Sequence, residues 1–176
     1  MKKLSMDELN RVSVEEFKEQ TKKPICIVLD NVRSLHNVGS AFRTSDAFNI
    51  QKVYLCGITG TPPNREINKT ALGATESVEW EYIDETVQII SKLKSEGWTI
   101  CSIEQVENST SLIDFNPESN QKYCLVFGNE VEGVDLDVIK LSDKVIEIPQ
   151  YGTKHSLNVS VSLGIVVWDM IAKLGK

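Results

Sequence analysis

The side chains best suited to chemistry fall in three short blocks. The first is Asn37-Val-Gly-Ser-Ala-Phe-Arg43. Asn37 can satisfy orphan amides at a helix start. Gly39 and Arg43 are four apart and so share a helix face. A residue without Cβ below an arginine would let a substrate backbone lie close while the guanidinium holds phosphate or ribose oxygens. The second block, Phe127-Gly-Asn-Glu-Val-Glu-Gly133, directly follows an apolar run. Ligands of open α/β sheets bind at such strand ends, and Gly128 and Gly133 permit tight turns and close backbone approach. The third joins Ile148-Pro-Gln-Tyr-Gly152 to Ser156-Leu-Asn-Val-Ser160. Each block also has a plainly structural reading. These are a capped helix with a surface arginine, a strand-to-helix turn, and a helix with Ser156 as N-cap and a polar second residue.

The elements that must position these blocks alternate between strand and helix. Apolar runs at 25–29, 52–56, 78–82, 98–103, 123–127 and 144–148 read as strands. Helices are predicted over about 6–20, 38–48, 66–73, 84–96 and 134–140, with loops at 57–64 and 107–120. This order predicts an α/β fold, a mostly parallel sheet with helices on both faces. The last segment is ambiguous locally. Leu157, Val159, Val161 and Leu163 alternate with polar residues as in a strand, yet the apolar pattern runs to Ile171, too long for one. We assign a helix. Val159, Leu163, Val166 and Met170 would form one apolar face, and Leu157, Val161, Ile165 and Trp168 another. Ser160 and Gly164 would lie between them. A helix apolar on two sides is buried on two sides, one against the core and one against a partner chain.

In this order the three blocks resemble the motifs of the SpoU-type (TrmH-like) RNA ribose 2′-O-methyltransferases of the knotted SPOUT class. The resemblance spans residues 24–173. It implies a C-terminal deep trefoil knot, S-adenosyl-L-methionine as cofactor, and a homodimer that completes each site. As catalytic residues it implies Arg43, Asn37, Glu130, Ser156 and Asn158, with the arginine assigned to the 2′-hydroxyl; a carboxylate such as Glu130 near a sulfonium is electrostatically sensible, though the sequence does not give its direct partner. Cofactor contacts would come from Phe127, Gly128, Asn129, Gly133, Ile148, Pro149, Gln150, Ser156 and Leu157. His36 and His155 adjoin the motifs, but the pattern does not require them, so both are read as positional. An arginine, with a pKa above about 12, is a poor proton acceptor. Arg43 is therefore expected to bind phosphate and stabilise a developing oxyanion.

The bulk properties limit the alternatives. The chain has 176 residues, 41% hydrophobic and 25% charged, which fits one globular domain with a short extension at 1–23 and a catalytic domain at 24–176. No apolar run approaches the ~20 residues of a membrane span. The start, Met-Lys-Lys-Leu-Ser-Met, has no signal-like apolar segment, so the cytoplasm is expected. Cys26, Cys56, Cys101 and Cys124 are scattered in apolar runs and read as buried thiols, and no metal site is expected. A net charge of −6 argues against a generic nucleic-acid coat. An RNA enzyme would need its cations gathered at the site. Arg33, Arg43, Arg65, Lys69 and Lys154, all in or near motif loops, are the candidates for that cluster, and Arg33, Arg43, Arg65 and Lys154 are expected to contact RNA. With only a short extension outside the catalytic domain, tRNA is favoured over rRNA. Two rivals remain: a catalytically silent cofactor-binding RNA module of the same fold, and an unrelated nucleotide-binding enzyme. The second lacks both a phosphate-binding loop motif and a dinucleotide fingerprint.

Overall fold

The computed structural model describes residues 1–5, 8 and 12–175. Its elements run α1 (Val14–Glu19), β1 (Lys23–Asp30), α2 (Leu35–Ala47), β2 (Ile50–Cys56), α3 (Arg65–Ala71), α4 (Ala74–Ser77), β3 (Trp80–Ile83) and α5 (Thr86–Ser95). They continue β4 (Trp98–Ile103), β5 (Thr110–Ser111), β6 (Lys122–Phe127), α6 (Leu136–Leu141), β7 (Lys144–Glu147) and α7 (Val159–Leu174). The seven strands form one sheet in the order β3-β2-β1-β6-β4-β7-β5, every pairing parallel.

Continuous apolar runs make the central strands, because a parallel sheet is covered on both faces. The two-residue strand period then sends alternate side chains of β1 to opposite layers. Ile25, Ile27 and Leu29 join a core with Val38 and Phe42 of α2 and Val166 and Met170 of α7. Cys26 and Val28 join the other layer, with Ile89, Ile90 and Leu93 of α5 and Val138 of α6. All four cysteines are buried free thiols.

Several boundaries differ from the sequence expectation. The helix foreseen over 6–20 is the single capped turn-and-a-half α1, closed by a Ser13–Glu16 capping box. Residues 6, 7 and 9–11 of that range lie outside the described residues. Asn37 does not cap α2. Ser34 does, because the helix starts three residues earlier and the Ser34 hydroxyl reaches the Asn37 N–H. The segment 107–120 contains the short edge strand β5, held on β7. Ser156 is not the cap of α7 either. Asn158 is, its Oδ1 accepting from Ser160 N at 2.9 Å.

The assignment of 159–174 to helix holds, and so does its two-sidedness. Leu163, Val166, Val167 and Met170 are buried. Leu157, Val161, Ile165 and Trp168 are exposed, Trp168 at 61%. One apolar face therefore meets the core, and the second is left uncovered in a single chain.

Candidate active site

Since β4, β6 and β7 are neighbours and parallel, their carboxyl ends open on the same edge, where α/β sheets bind ligands. The loops leaving them enclose a cavity of about 400 Å³. Phe127, Gly128, Asn129, Glu130, Gly133, Ile148, Gln150, Ser156, Leu157 and Asn158, all expected from the sequence, line it. Pro149, also expected, lies between two lining residues but is not one. Three unforeseen residues, Ile103, Glu104 and Gln105, come from the end of β4. Their signal was present, since they follow an apolar strand as Phe127 does. His155, read as positional, also lines the cavity.

The loop after β6 closes on itself. Asn129 N donates to Gly133 O at 2.9 Å and Gly133 N returns to Asn129 O at 3.0 Å. The Asn129 side chain accepts from Val131 N at 2.8 Å and donates to Asn31 O at 2.8 Å, tying this loop to the one after β1. A Cβ on Gly128 would lie 2.1 Å from both Gly133 C and Val134 N, which are backbone atoms and cannot rotate away. Gly128→Ala is therefore expected to open the loop. It should lower stability by about 2 kcal/mol or more and abolish ligand binding in the cavity. Thermal unfolding and calorimetric titration would check both. Gly133 has φ +74°, and Glu104 occupies the space beside it, accepting from Val134 N at 3.1 Å.

Glu130 lines the cavity, and its carboxylate is taken up by the segment that leads into α2. It accepts from Arg33 N and Ser34 N, each at 2.9 Å, and from Asn37 Nδ2 at 3.0 Å. Two of these donors are the main-chain amides of the residues that lead into α2 and the third is a side chain of its first turn, so the carboxylate sits near the positive end of the helix dipole. The first and second motifs are thereby one unit, with Asn37 and Glu130 as its pins. Burial works against ionisation of Glu130, but the accepted hydrogen bonds outweigh it and hold the carboxyl below its ordinary 4.5. A depressed carboxyl contributes stability above its unfolded pKa and loses it as pH falls through the folded value. The stability gap between wild type and Glu130→Gln should thus be full at pH 7 and close on acidification below about 4.5. Thermal melts across that range would measure it.

A buried carboxylate missed in the sequence braces the same edge. Asp30, at the end of β1, accepts from Thr86 Oγ1 at 2.6 Å, Asn31 Nδ2 at 3.0 Å and Asp135 N at 2.9 Å.

Arg43 lies elsewhere. It is exposed on α2, roughly 9 Å along the axis from Asn37, in a second concavity of about 370 Å³ shared with Ser40, Thr44, Phe48, Lys69 and Thr70. The two cavities share no lining residue. Gly39 does not open a path for substrate beneath Arg43. It is buried, and a Cβ there would fall 2.1 Å from Thr70 Oγ1 and 2.2 Å from Ile67 O. Its role is to let α3 approach α2. The other candidate cations are exposed. Arg33 stands beside Glu130, Arg65 opens α3, and Lys154 lies two residues before Ser156.

The model of the SpoU rRNA Methylase family matches residues 24–168. Among curated relatives, the tRNA (guanosine(18)-2′-O)-methyltransferase of Aquifex aeolicus is 31% identical over 159 residues, covering 89% of this chain and 72% of the relative. The 23S rRNA (guanosine-2′-O-)-methyltransferase RlmB of Neisseria meningitidis is 29% identical over 167 residues, covering 90% of this chain but 62% of the relative. The crystal structure of the A. aeolicus TrmH/SpoU tRNA modifying enzyme superposes with a TM-score of 0.81 at 29% identity, covering 91% of this chain and 80% of that one. The SpoU methyltransferase AviRb of Streptomyces viridochromogenes, solved with AdoMet, shares the fold with a TM-score of 0.77 at 17% identity, covering 89% of this chain and 63% of that one.

Proposed function

The chain belongs to the SpoU rRNA methylase family, and from that premise we propose that it transfers a methyl group from S-adenosyl-L-methionine to a ribose 2′-hydroxyl of RNA. The observation that carries the reading is the convergence of the second and third motifs on one cavity, with Arg43 exposed in a separate concavity.

The cavity suits that cofactor. Its size falls within the range of small-molecule sites. Ile103, Phe127, Ile148, Leu157 and Val159 offer an apolar lining, and the 128–133 loop offers main-chain groups. Glu104, Glu132 and Glu147 line it, with no lysine or arginine, a charge balance that favours a sulfonium and disfavours an anionic nucleotide. When bound, S-adenosylmethionine supplies an already activated methyl group. The protein has to position the two reactants and manage one proton. Glu130 and Asn37 fix the relation between the cavity loop and α2. Arg43 binds phosphate and stabilises negative charge growing on the ribose oxygen, and the proton leaves to phosphate or water.

The homodimer belongs to the same proposal. The exposed apolar face of α7 is continuous with the Arg43 concavity, since Phe48 lines that concavity and packs on Trp168 with ring centroids 5.9 Å apart. A second copy seated on that face would stand beside Arg43, so Arg43 would serve the partner's cofactor cavity. Catalysis is assigned to residues 24–176, with the C-terminal segment knotted, and to the cytoplasm. Both tRNA and rRNA are open as substrates. The Aquifex relative acts on tRNA by its name and the Neisseria relative on 23S rRNA. We favour tRNA because the Aquifex relative is matched at 31% identity over 72% of its length, against 29% over 62% for the Neisseria relative. Transfer of labelled methyl to unmodified tRNA and rRNA pools tests this. Label in tRNA is expected, and label in rRNA alone would reverse the preference.

A further inference from the structure

The second concavity holds more than one arginine. Gly39 brings α3 so close to α2 that the Thr70 hydroxyl donates to His36 O at 2.9 Å. That spacing sets Lys69 of α3 in the same concavity as Arg43 of α2, with the hydroxyl residues Ser40, Thr44 and Thr70 around them. Two cations from separate helices and three hydroxyl side chains make a site for an oxyanion. Arg65, four residues before Lys69, extends the positive face of α3.

The two cations are engaged differently. Among the described residues Arg43 forms no ion pair, whereas Lys69 Nζ stands 2.7 Å from Glu66 Oε1. Glu66 in turn meets His36 Nε2 at 3.1 Å. Lys69 is half exposed, and an exposed pair of this kind is held only weakly against water and salt. A phosphodiester beside Arg43 can therefore take Lys69 from Glu66 at small cost, leaving the carboxylate to His36.

Resting on the functional reading above, we infer that Lys69 is a substrate-positioning residue, which with Arg43 grips a backbone phosphodiester of the RNA next to the target ribose. Glu66 parks the lysine in the free protein. Two cations on one phosphate fix its place better than one and hold the ribose beside it in register.

The test uses the full chain and a pool of unmodified tRNA transcripts, with binding read by filter retention at several salt concentrations and turnover read separately. Lys69→Gln is expected to weaken RNA binding and raise KM for RNA about tenfold. It should lower the slope of log affinity against log salt by about 0.7–0.9, the loss of one phosphate contact. Cofactor affinity should not change, and Lys69→Arg should restore most of the effect. Glu66→Gln, which frees the lysine, should tighten RNA binding. Unchanged affinity and slope in Lys69→Gln would overturn the inference, as would weaker RNA binding in Glu66→Gln. Binding does not require turnover, so absence of methyl transfer by the wild type would sink the functional reading and leave the phosphate site to be decided by the slope.

Discussion

Arg43→Ala is expected to lower kcat by about 10²–10³ while cofactor affinity stays within twofold of wild type. The guanidinium is exposed, lies outside the cofactor cavity and has no ion partner among the described residues. Removing it should therefore leave the fold and that cavity undisturbed. What is lost is the positive charge that meets the ribose oxygen as it becomes an anion. Lysine at this position keeps the charge but not the planar fork, so Arg43→Lys should recover only part of the rate. It also separates two roles. If residue 43 were the proton acceptor, the lysine variant would show a new limb in its pH–rate profile near a lysine pKa. The stabilising role predicts no such limb. Rate against pH for the two proteins, at saturating cofactor, decides between them.

The second large effect concerns the uncovered face of α7. Trp168→Glu is expected to convert a dimer to monomers and reduce activity by at least about 100-fold. Val161, Ile165 and Trp168 all project from this helix into solvent in the single chain. Burying side chains of this size contributes roughly 1 kcal/mol or more each, and a two-fold axis uses each of them twice. A carboxylate at the centre would be desolvated against its own copy. Sedimentation would give the oligomeric state and methyl transfer the activity. A sharper form mixes two inactive proteins, Arg43→Ala and Gly128→Ala. If Arg43 serves the partner's cavity, half of the dimers are mixed and each holds one intact site. About a quarter of wild-type activity should then return. No recovery, with mixed dimers demonstrated, would place Arg43 and the cavity in the same chain.

Much of this arrangement was legible in the residues because it depends on local periodicity. The start of α7 alternates as a strand would, but its apolar pattern runs on to Ile171, too long for a strand, and the continuous apolar runs placed the central strands. Glycines after a strand marked the loop after β6, and the family resemblance, not the glycines, made it a cofactor loop. What was not legible depends on contacts between distant segments. Asn37 reads as a cap, yet Ser34 caps the helix and Asn37 reaches Glu130, 93 residues away. Glu130 reads as a carboxylate suited to a cation, but the Arg33 and Ser34 amides and the Asn37 side chain take it up. Gly39 reads as room for substrate, but α3 fills that room. Glu104 follows an apolar strand, which marked its place, but its bond to Val134 N exists only once β4 and β6 lie side by side. Helical spacing alone also cannot say that Arg43 lies outside the cavity the other motifs line.

The central claim is that methyl is placed on a ribose oxygen. After reaction with labelled S-adenosylmethionine, the RNA would be hydrolysed in alkali and its labelled products separated. A 2′-O-methyl group removes the hydroxyl that attacks the neighbouring phosphodiester, so the account predicts label in alkali-resistant dinucleotides, absent with Arg43→Ala. Label released in mononucleotides would mean that a base is methylated, and would contradict the account.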